Sequence, residues 1–191
     1  MIPTTQQKIV TVFKQLMIEQ PFNKISVTAI MHQAGIRRQT FYDYFSDKYA
    51  LLDWIYEQEI GVYIDDNLNY IHWTQVLVQL FNYFDANRDF YQNALSIKGQ
   101  NAFELHFIHH VHQLINRIIQ DLADAHHITL STDYRAFLLN FLSNALVAYT
   151  ADWLRSRHPQ PVSKIITALK MTLTDSINGL LLRTGHLYEQ R

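Results

Sequence analysis

The segment Ser26–Lys48, SVTAIMHQAGIRRQTFYDYFSDK, decides how the chain is read. Ser26 stands where a helix N-cap belongs, just ahead of the apolar positions Val27, Ile30 and Met31. Ala34-Gly35 marks the stop, because glycine takes the left-handed conformation that a tight helix-to-helix turn needs. A second short helix is predicted over Arg37–Tyr44. Asp47 then offers the cap for a long helix that carries Leu51, Leu52, Ile55 and Tyr56 on one face. Two short helices joined by a glycine turn make a helix-turn-helix, whose second helix lies in the major groove of DNA.

The side chains at the start of that second helix suit the task. Arg37, Arg38, Gln39 and Thr40 are predicted to contact bases. Arginine can bond bidentately to guanine, glutamine to adenine, and threonine can offer its hydroxyl or its methyl. Arg37 and Arg38 fit phosphate equally well, which would fix register without reading sequence. Tyr42 and Tyr44 carry hydroxyls able to reach phosphate oxygens, and Lys48 sits at a helix start that favours an anion. Phe41 and Phe45, four residues apart, are predicted to pack inward and hold the angle of the motif.

Working outward, almost everything reads as helix. Only 5 glycines and 4 prolines interrupt 191 residues, and no stretch alternates with period two between turns. Residues 4–20 form an amphipathic first helix through Ile9, Val12, Phe13, Leu16 and Met17, ended by Gln20-Pro21-Phe22-Asn23. Further helices are predicted near 73–86, 88–97, 101–125, 131–157 and 161–185. Their breaks fall at Asp85-Ala86-Asn87, Lys98-Gly99-Gln100, Ser131-Thr132-Asp133 and His158-Pro159-Gln160-Pro161. The fold class is all-α with about nine helices: a three-helix DNA-binding domain over 1–48 and a helical bundle over 49–191 for sensing and dimerisation. The last two helices are rich in Leu, Ile, Phe and Ala, so they either form a homodimer interface or bury their own domain's core.

Charge divides the same way. Residues 1–48 carry Lys8, Lys14, Lys24, Arg37, Arg38 and Lys48 against Glu19, Asp43 and Asp47, a net of +3 in a chain whose total is −1. A basic head on an acidic body points one end at phosphate and excludes indiscriminate coating of nucleic acid. Cysteine is absent, which fits a reducing cytoplasm. The opening residues lack a signal-peptide pattern, and no apolar run nears the roughly 18 residues that span a bilayer. The expectation is a soluble cytoplasmic protein with no membrane contact.

Residues 9–55 resemble the DNA-binding domain of the TetR family of bacterial regulators. The resemblance rests on I-S-V-x-x-I at Ile25–Ile30, A-G-I at Ala34–Ile36 and T-F-Y-x-Y-F-x-D-K-x-x-L-L at Thr40–Leu52. It implies base contacts by Arg38, Gln39 and Thr40, and phosphate contacts by Ser26, Thr28, Tyr42 and Lys48. It also implies double-stranded operator DNA as partner and a homodimer whose operator affinity is set through the C-terminal domain. This chain departs at Arg37, where the family commonly has a capping Ser, at Met31, where it has a small residue, and at Asp43, where it has a basic or aromatic one. A narrower likeness runs through Ile36–Phe45, Leu51–Glu57, Asp66–Trp73 and Phe90–Gln92. It resembles the branch that contains the activator of dihydroxyacetone kinase operons, and implies a kinase-like coactivator protein in place of a small-molecule effector.

Trp54, Tyr63, Phe84, Tyr91, Phe103 and Phe107 either line an effector pocket between the helix begun at Lys48 and the helix over 101–125, or form core. His106 and His110 share a helix face and would suit zinc with a third ligand, but none is identifiable, so no metal or cofactor is expected. No G-x-S-x-G, phosphate-cradling glycine loop, H-E-x-x-H or cysteine nucleophile is present, and the chain does not read as an enzyme.

Overall fold

Local caps set where the first helices start and stop in the computed structural model, which describes residues 4–61, 64, 73–97, 103–125, 127 and 129–188. Tyr63 and the predicted break at Lys98-Gly99-Gln100 lie outside those residues. Helix α1 (Thr5–Glu19) begins in a capping box: the Gln7 N–H donates to Thr4 Oγ1 at 3.2 Å, and the Thr4 N–H to Gln7 Oε1 at 2.9 Å. Helix α2 (Val27–Ala34) is capped by Ser26, whose Oγ accepts from the Ala29 N–H at 3.1 Å. It ends at Gly35, φ 68° and ψ 30°. There the Gly35 N–H donates to His32 O and the Ile36 N–H to Met31 O, the paired bonds of a Schellman turn. Asp47 Oδ1 accepts from the N–H groups of both Tyr49 and Ala50 at 2.8 Å and starts α3 (Lys48–Tyr56).

Two of these elements differ from the sequence reading. The segment predicted as an α-helix over Arg37–Tyr44 is a 3-10 helix over Arg38–Asp43. Arg37 at its start makes no side-chain cap bond, and bonds such as Thr40 N–H to Arg37 O close every third residue. Without a cap to satisfy its first N–H groups, so short a run tightens to the 3-10 form. The long helix begun at Asp47 keeps α geometry only to Tyr56 and then widens into a π turn, Glu57–Gly61. Gly61 sits where a Cβ would meet the Glu57 carboxylate at 2.6 Å, so it admits a close neighbour.

The remaining described elements are α4 (Trp73–Ala86), α5 (Arg88–Ala94), α6 (Phe103–Ala125), α7 (Thr132–Arg155) and α8 (Val162–Tyr188). All regular structure among the described residues is helical, so the all-α class holds. The chain forms two compact units, Met1–Tyr63 with Ala86–Phe107, and Ile64–Asp85 with Ile108–Arg191. The predicted boundary at residue 48 falls inside the first unit, because that unit also takes in α3 and α5.

Aromatic rings build the core of the first unit. Phe13 on α1 is fully buried and meets Phe22 and Phe90 edge-on at 6.3 and 6.4 Å. Burying such a ring contributes about 2–3 kcal/mol. Phe41 and Phe45 are buried 5.6 Å apart, and Phe45 also meets Trp54 at 5.8 Å. Tyr56 lies against Phe103 at 4.9 Å and Phe107 at 6.3 Å. In the second unit Phe81 on α4 packs on Trp153 of α7 at 5.4 Å, and the indole N–H of Trp153 donates to Gln160 O.

The Gly35 turn gives a direct check. A Cβ there would touch nothing within 4 Å, so the cost of Gly35→Ala is the backbone's alone. We expect a loss of about 1–2 kcal/mol in urea unfolding. An unchanged midpoint would show that the turn does not hold its left-handed conformation in solution.

Candidate nucleic-acid interface

The predicted base-contacting residues lie at the start of the 3-10 helix and face solvent. Arg37, Arg38 and Gln39 are exposed, and Thr40 is half-buried. Arg38 is the most organised of them. Its guanidinium donates to the Tyr42 hydroxyl at 3.1 Å and stands 6.0 Å from the centre of that ring. The remaining N–H groups of a guanidinium stay available for a guanine edge, and the tyrosine keeps its own O–H to donate.

Of the predicted phosphate contacts, Ser26, Thr28, Tyr42 and Tyr44 are exposed. Ser26 Oγ already accepts the α2 cap bond, which leaves its O–H free to donate outward. Asp43, an acidic departure in this region, is exposed as well. Lys48 behaves differently. Its ammonium donates to Phe22 O and to Ile25 O, both at 2.8 Å, and lies 4.3 Å over the Phe22 ring. Burial lowers its pKa below the usual lysine value. The group expected at phosphate therefore braces the connection between α1 and α2.

That brace changes the charge map of the head. Lys14 is paired with Glu59 of the π turn at 2.7 Å, and Lys48 is bound to carbonyls. Lys8, Lys24, Arg37 and Arg38 remain exposed among the basic residues of 1–48. Positive charge that reaches solvent is thus concentrated where phosphate and bases would be met.

Sequence reasoning missed Asn93. Its Nδ2 donates to Met17 O and Gln20 O at 2.8 Å, and its Oδ1 accepts from the Phe22 N–H at 3.0 Å. A proline that ends a helix leaves carbonyls needing donors, so the demand was visible at Pro21. Its supplier, 71 residues downstream of Phe22, was not.

Three of the residues predicted to line a pocket lie together in the first unit. Tyr91, Phe103 and Phe107 are buried ring to ring, with Tyr91 5.9 Å from Phe103 and Phe103 stacked on Phe107 at 6.4 Å. Trp54 is half-exposed beside Phe45, and Phe84 is buried in the other unit. A separate apolar hollow of about 230 Å³ lies among α6, α7 and α8, lined by Ile115, Leu142, Leu146, Tyr149, Leu169 and Leu173 among others. His106 Nε2 lies 3.2 Å from an Asp53 carboxylate oxygen, and His110 is buried. Burial raises the Asp53 pKa, His106 opposes the rise and Asp47 adds to it. Among the described residues no three His, Cys, Asp or Glu side chains gather as a metal site.

Comparison with known proteins places this geometry. Residues 9–55 match the family described as bacterial regulatory proteins, tetR family, and residues 71–175 match a transcriptional regulator C-terminal region. The chain is 35% identical over 148 residues to the HTH-type dhaKLM operon transcriptional activator DhaS of Lactococcus lactis subsp. lactis, covering 78% of each protein. The solved structure of a dihydroxyacetone kinase operon activator DhaS is similar with a TM-score of 0.76 and 32% identity, over 91% of this chain and 96% of that one. The fatty acid degradation regulator FadR from Bacillus halodurans shares the fold, with a TM-score of 0.69 and 12% identity over 91% and 97%.

The Lys48 brace is open to measurement. Replacing Lys48 with Met removes two charge-assisted bonds to backbone carbonyls, and should cost about 2–3 kcal/mol in urea unfolding at neutral pH. Because the folded-state pKa is lowered, the folded protein sheds this proton more readily than the unfolded chain. Wild type should therefore gain on Lys48→Met as pH climbs through the lowered value toward 10.5. Equal stabilities would mean that the ammonium points into water.

Proposed function

We propose, from the premise that the chain belongs to the TetR family of bacterial regulatory proteins, that this DNA-binding transcriptional regulator grips double-stranded operator DNA as a homodimer in the cytoplasm. Arg37, Arg38, Gln39 and Thr40 read bases in this scheme. Ser26, Thr28, Tyr42 and Tyr44 hold phosphates. The observation that carries the reading is the uncovered start of the 3-10 helix, where Arg38 is presented to solvent by its bond to Tyr42.

The homodimer uses the last two helices, α7 and α8. Phe137 and Phe141 on α7 are 57% and 59% exposed and stacked at 5.7 Å, a large apolar surface to leave in water. Tyr134 extends that ladder, stacking on Phe137 at 6.1 Å. Met171 of α8 is exposed as well. A two-fold pair would place two reading heads in successive major grooves.

As to the sign of regulation, we take the protein for an activator whose signal comes from a coactivator protein of the kinase-like class. The relative at 35% identity is named as a transcriptional activator. Three of the aromatics predicted to line a pocket, Tyr91, Phe103 and Phe107, pack ring to ring. A small apolar effector in the hollow among α6, α7 and α8 is the second reading.

A gel shift of the full chain on its own upstream intergenic DNA, with Arg38→Ala beside it, tests the reading. Wild type should retard a discrete fragment, and Arg38→Ala should bind it at least about tenfold more weakly, as loss of a bidentate base contact requires. Equal retardation would remove Arg38 from base reading. No retardation by either at low salt, where phosphate contacts are strongest, would sink the operator-binding proposal.

A further inference from the structure

Asn93 lies on the short helix α5, inside a segment with an unusual path. The chain leaves the second unit at Asp85, runs through Ala86–Phe107 as part of the first unit, and returns to the second at Ile108. What this segment grips in the first unit is the connection between α1 and α2.

Two kinds of contact make that grip. Phe90 meets Phe13 edge-on at 6.4 Å with Lys14 5.5 Å over its ring, and such packing tolerates small slides. Asn93 does not tolerate them. One carboxamide holds three backbone groups, Met17 O and Gln20 O at 2.8 Å and the Phe22 N–H at 3.0 Å. A shift of about 1 Å would take all three past hydrogen-bonding distance. Phe22 is also the residue whose carbonyl Lys48 binds, so both of its backbone polar groups are held by remote side chains. Four residues on, Ser26 caps α2 of the reading head.

The geometry points to Asn93 as the positioning residue that sets operator affinity, by registering α5 on the Met17–Phe22 backbone from which the reading head begins. This rests on the DNA-binding reading above, and adds a residue that touches no DNA in that reading yet holds the backbone of the head that does. When the three bonds are made, α2 and the 3-10 helix are held in the reading pose. When the segment shifts, they release together, because one side chain makes them all.

The test uses the full chain as wild type, Asn93→Ala and Asn93→Asp, the last keeping the acceptor for Phe22 and losing both donated bonds. Two readouts are taken on the same samples: hydrogen exchange in peptides covering residues 20–25, and titration of the retarded upstream fragment against a random-sequence duplex. In Asn93→Ala the Phe22 amide should exchange at least about tenfold faster, and the ratio of specific to random affinity should fall about tenfold or more. Binding of the random duplex at low salt should fall much less than specific binding, since it rests on the charge of exposed basic side chains more than on one fixed pose. Asn93→Asp should keep Phe22 protected and still lose specificity. An unchanged ratio, or specific and random affinities falling together with the melting temperature, would overturn the assignment and leave Asn93 a stability residue. If wild type itself retards no fragment, the regulator reading fails. The exchange arm then decides alone, and a Phe22 amide as slow in Asn93→Ala as in wild type refutes the grip.

Discussion

Between the last turn of α1 and the cap of α2 the backbone runs out of partners. Pro21 has no N–H to give, and the connection is too short to satisfy itself. The Lys24 and Ile25 N–H groups reach back to Pro21 O and Phe22 O in one 3-10 turn, and the rest must be supplied from elsewhere. Asn93 supplies two donors and an acceptor, and Lys48 supplies two further donated bonds. A half-buried peptide group left unsatisfied costs about 1–3 kcal/mol, so both side chains stabilise this junction. The direction in which the reading head leaves α1 is therefore set by residues of α3 and α5.

The division of labour among the basic residues follows from this constraint. Lys48 and Lys14 are spent internally, one on carbonyls and one on Glu59, and both hold α1 and its exit against the rest of the first unit. Arg37, Arg38 and Lys24 are left to the solvent. A protein of total charge −1 can still present a positive face where its anionic partner docks, because its acidic residues are concentrated beyond residue 48. The 3-10 segment has few bonds of its own, so its geometry is inherited from Phe41 and Phe45 buried beneath it.

What could be read from the sequence was what is decided locally. Ser26, Gly35 and Asp47 act within three residues of themselves, and each occupies the role its residue type announces. The all-helical class followed from periodicity, and α4 spans the residues predicted for it. That Arg37, Arg38 and Gln39 stand at the start of a short exposed helix was legible because a glycine turn and its flanks define where that helix begins. Missing caps are subtler: Arg37 in place of a capping residue was visible, but its consequence, a 3-10 helix, depends on how little else stabilises so short a run. Lys48 and Asn93 were illegible for a different reason. Their partners lie 23 to 76 residues away, and a lysine at a helix start reads as a phosphate contact until its carbonyls are seen. Aromatic residues at helical spacing fit a pocket wall and a packed core equally well. Only the ring-to-ring distances at Tyr56, Tyr91, Phe103 and Phe107 distinguish them.

The central claim is that a braced head reads DNA twice, once from each member of a pair. A DNase footprint of the full chain on its upstream fragment tests this most directly. Two protected half-sites with centres one helical turn apart, about 10–10.5 base pairs, or a multiple of it, are the predicted result. A single unpaired protected site, or protection that spreads evenly with protein concentration and ignores sequence, would contradict it.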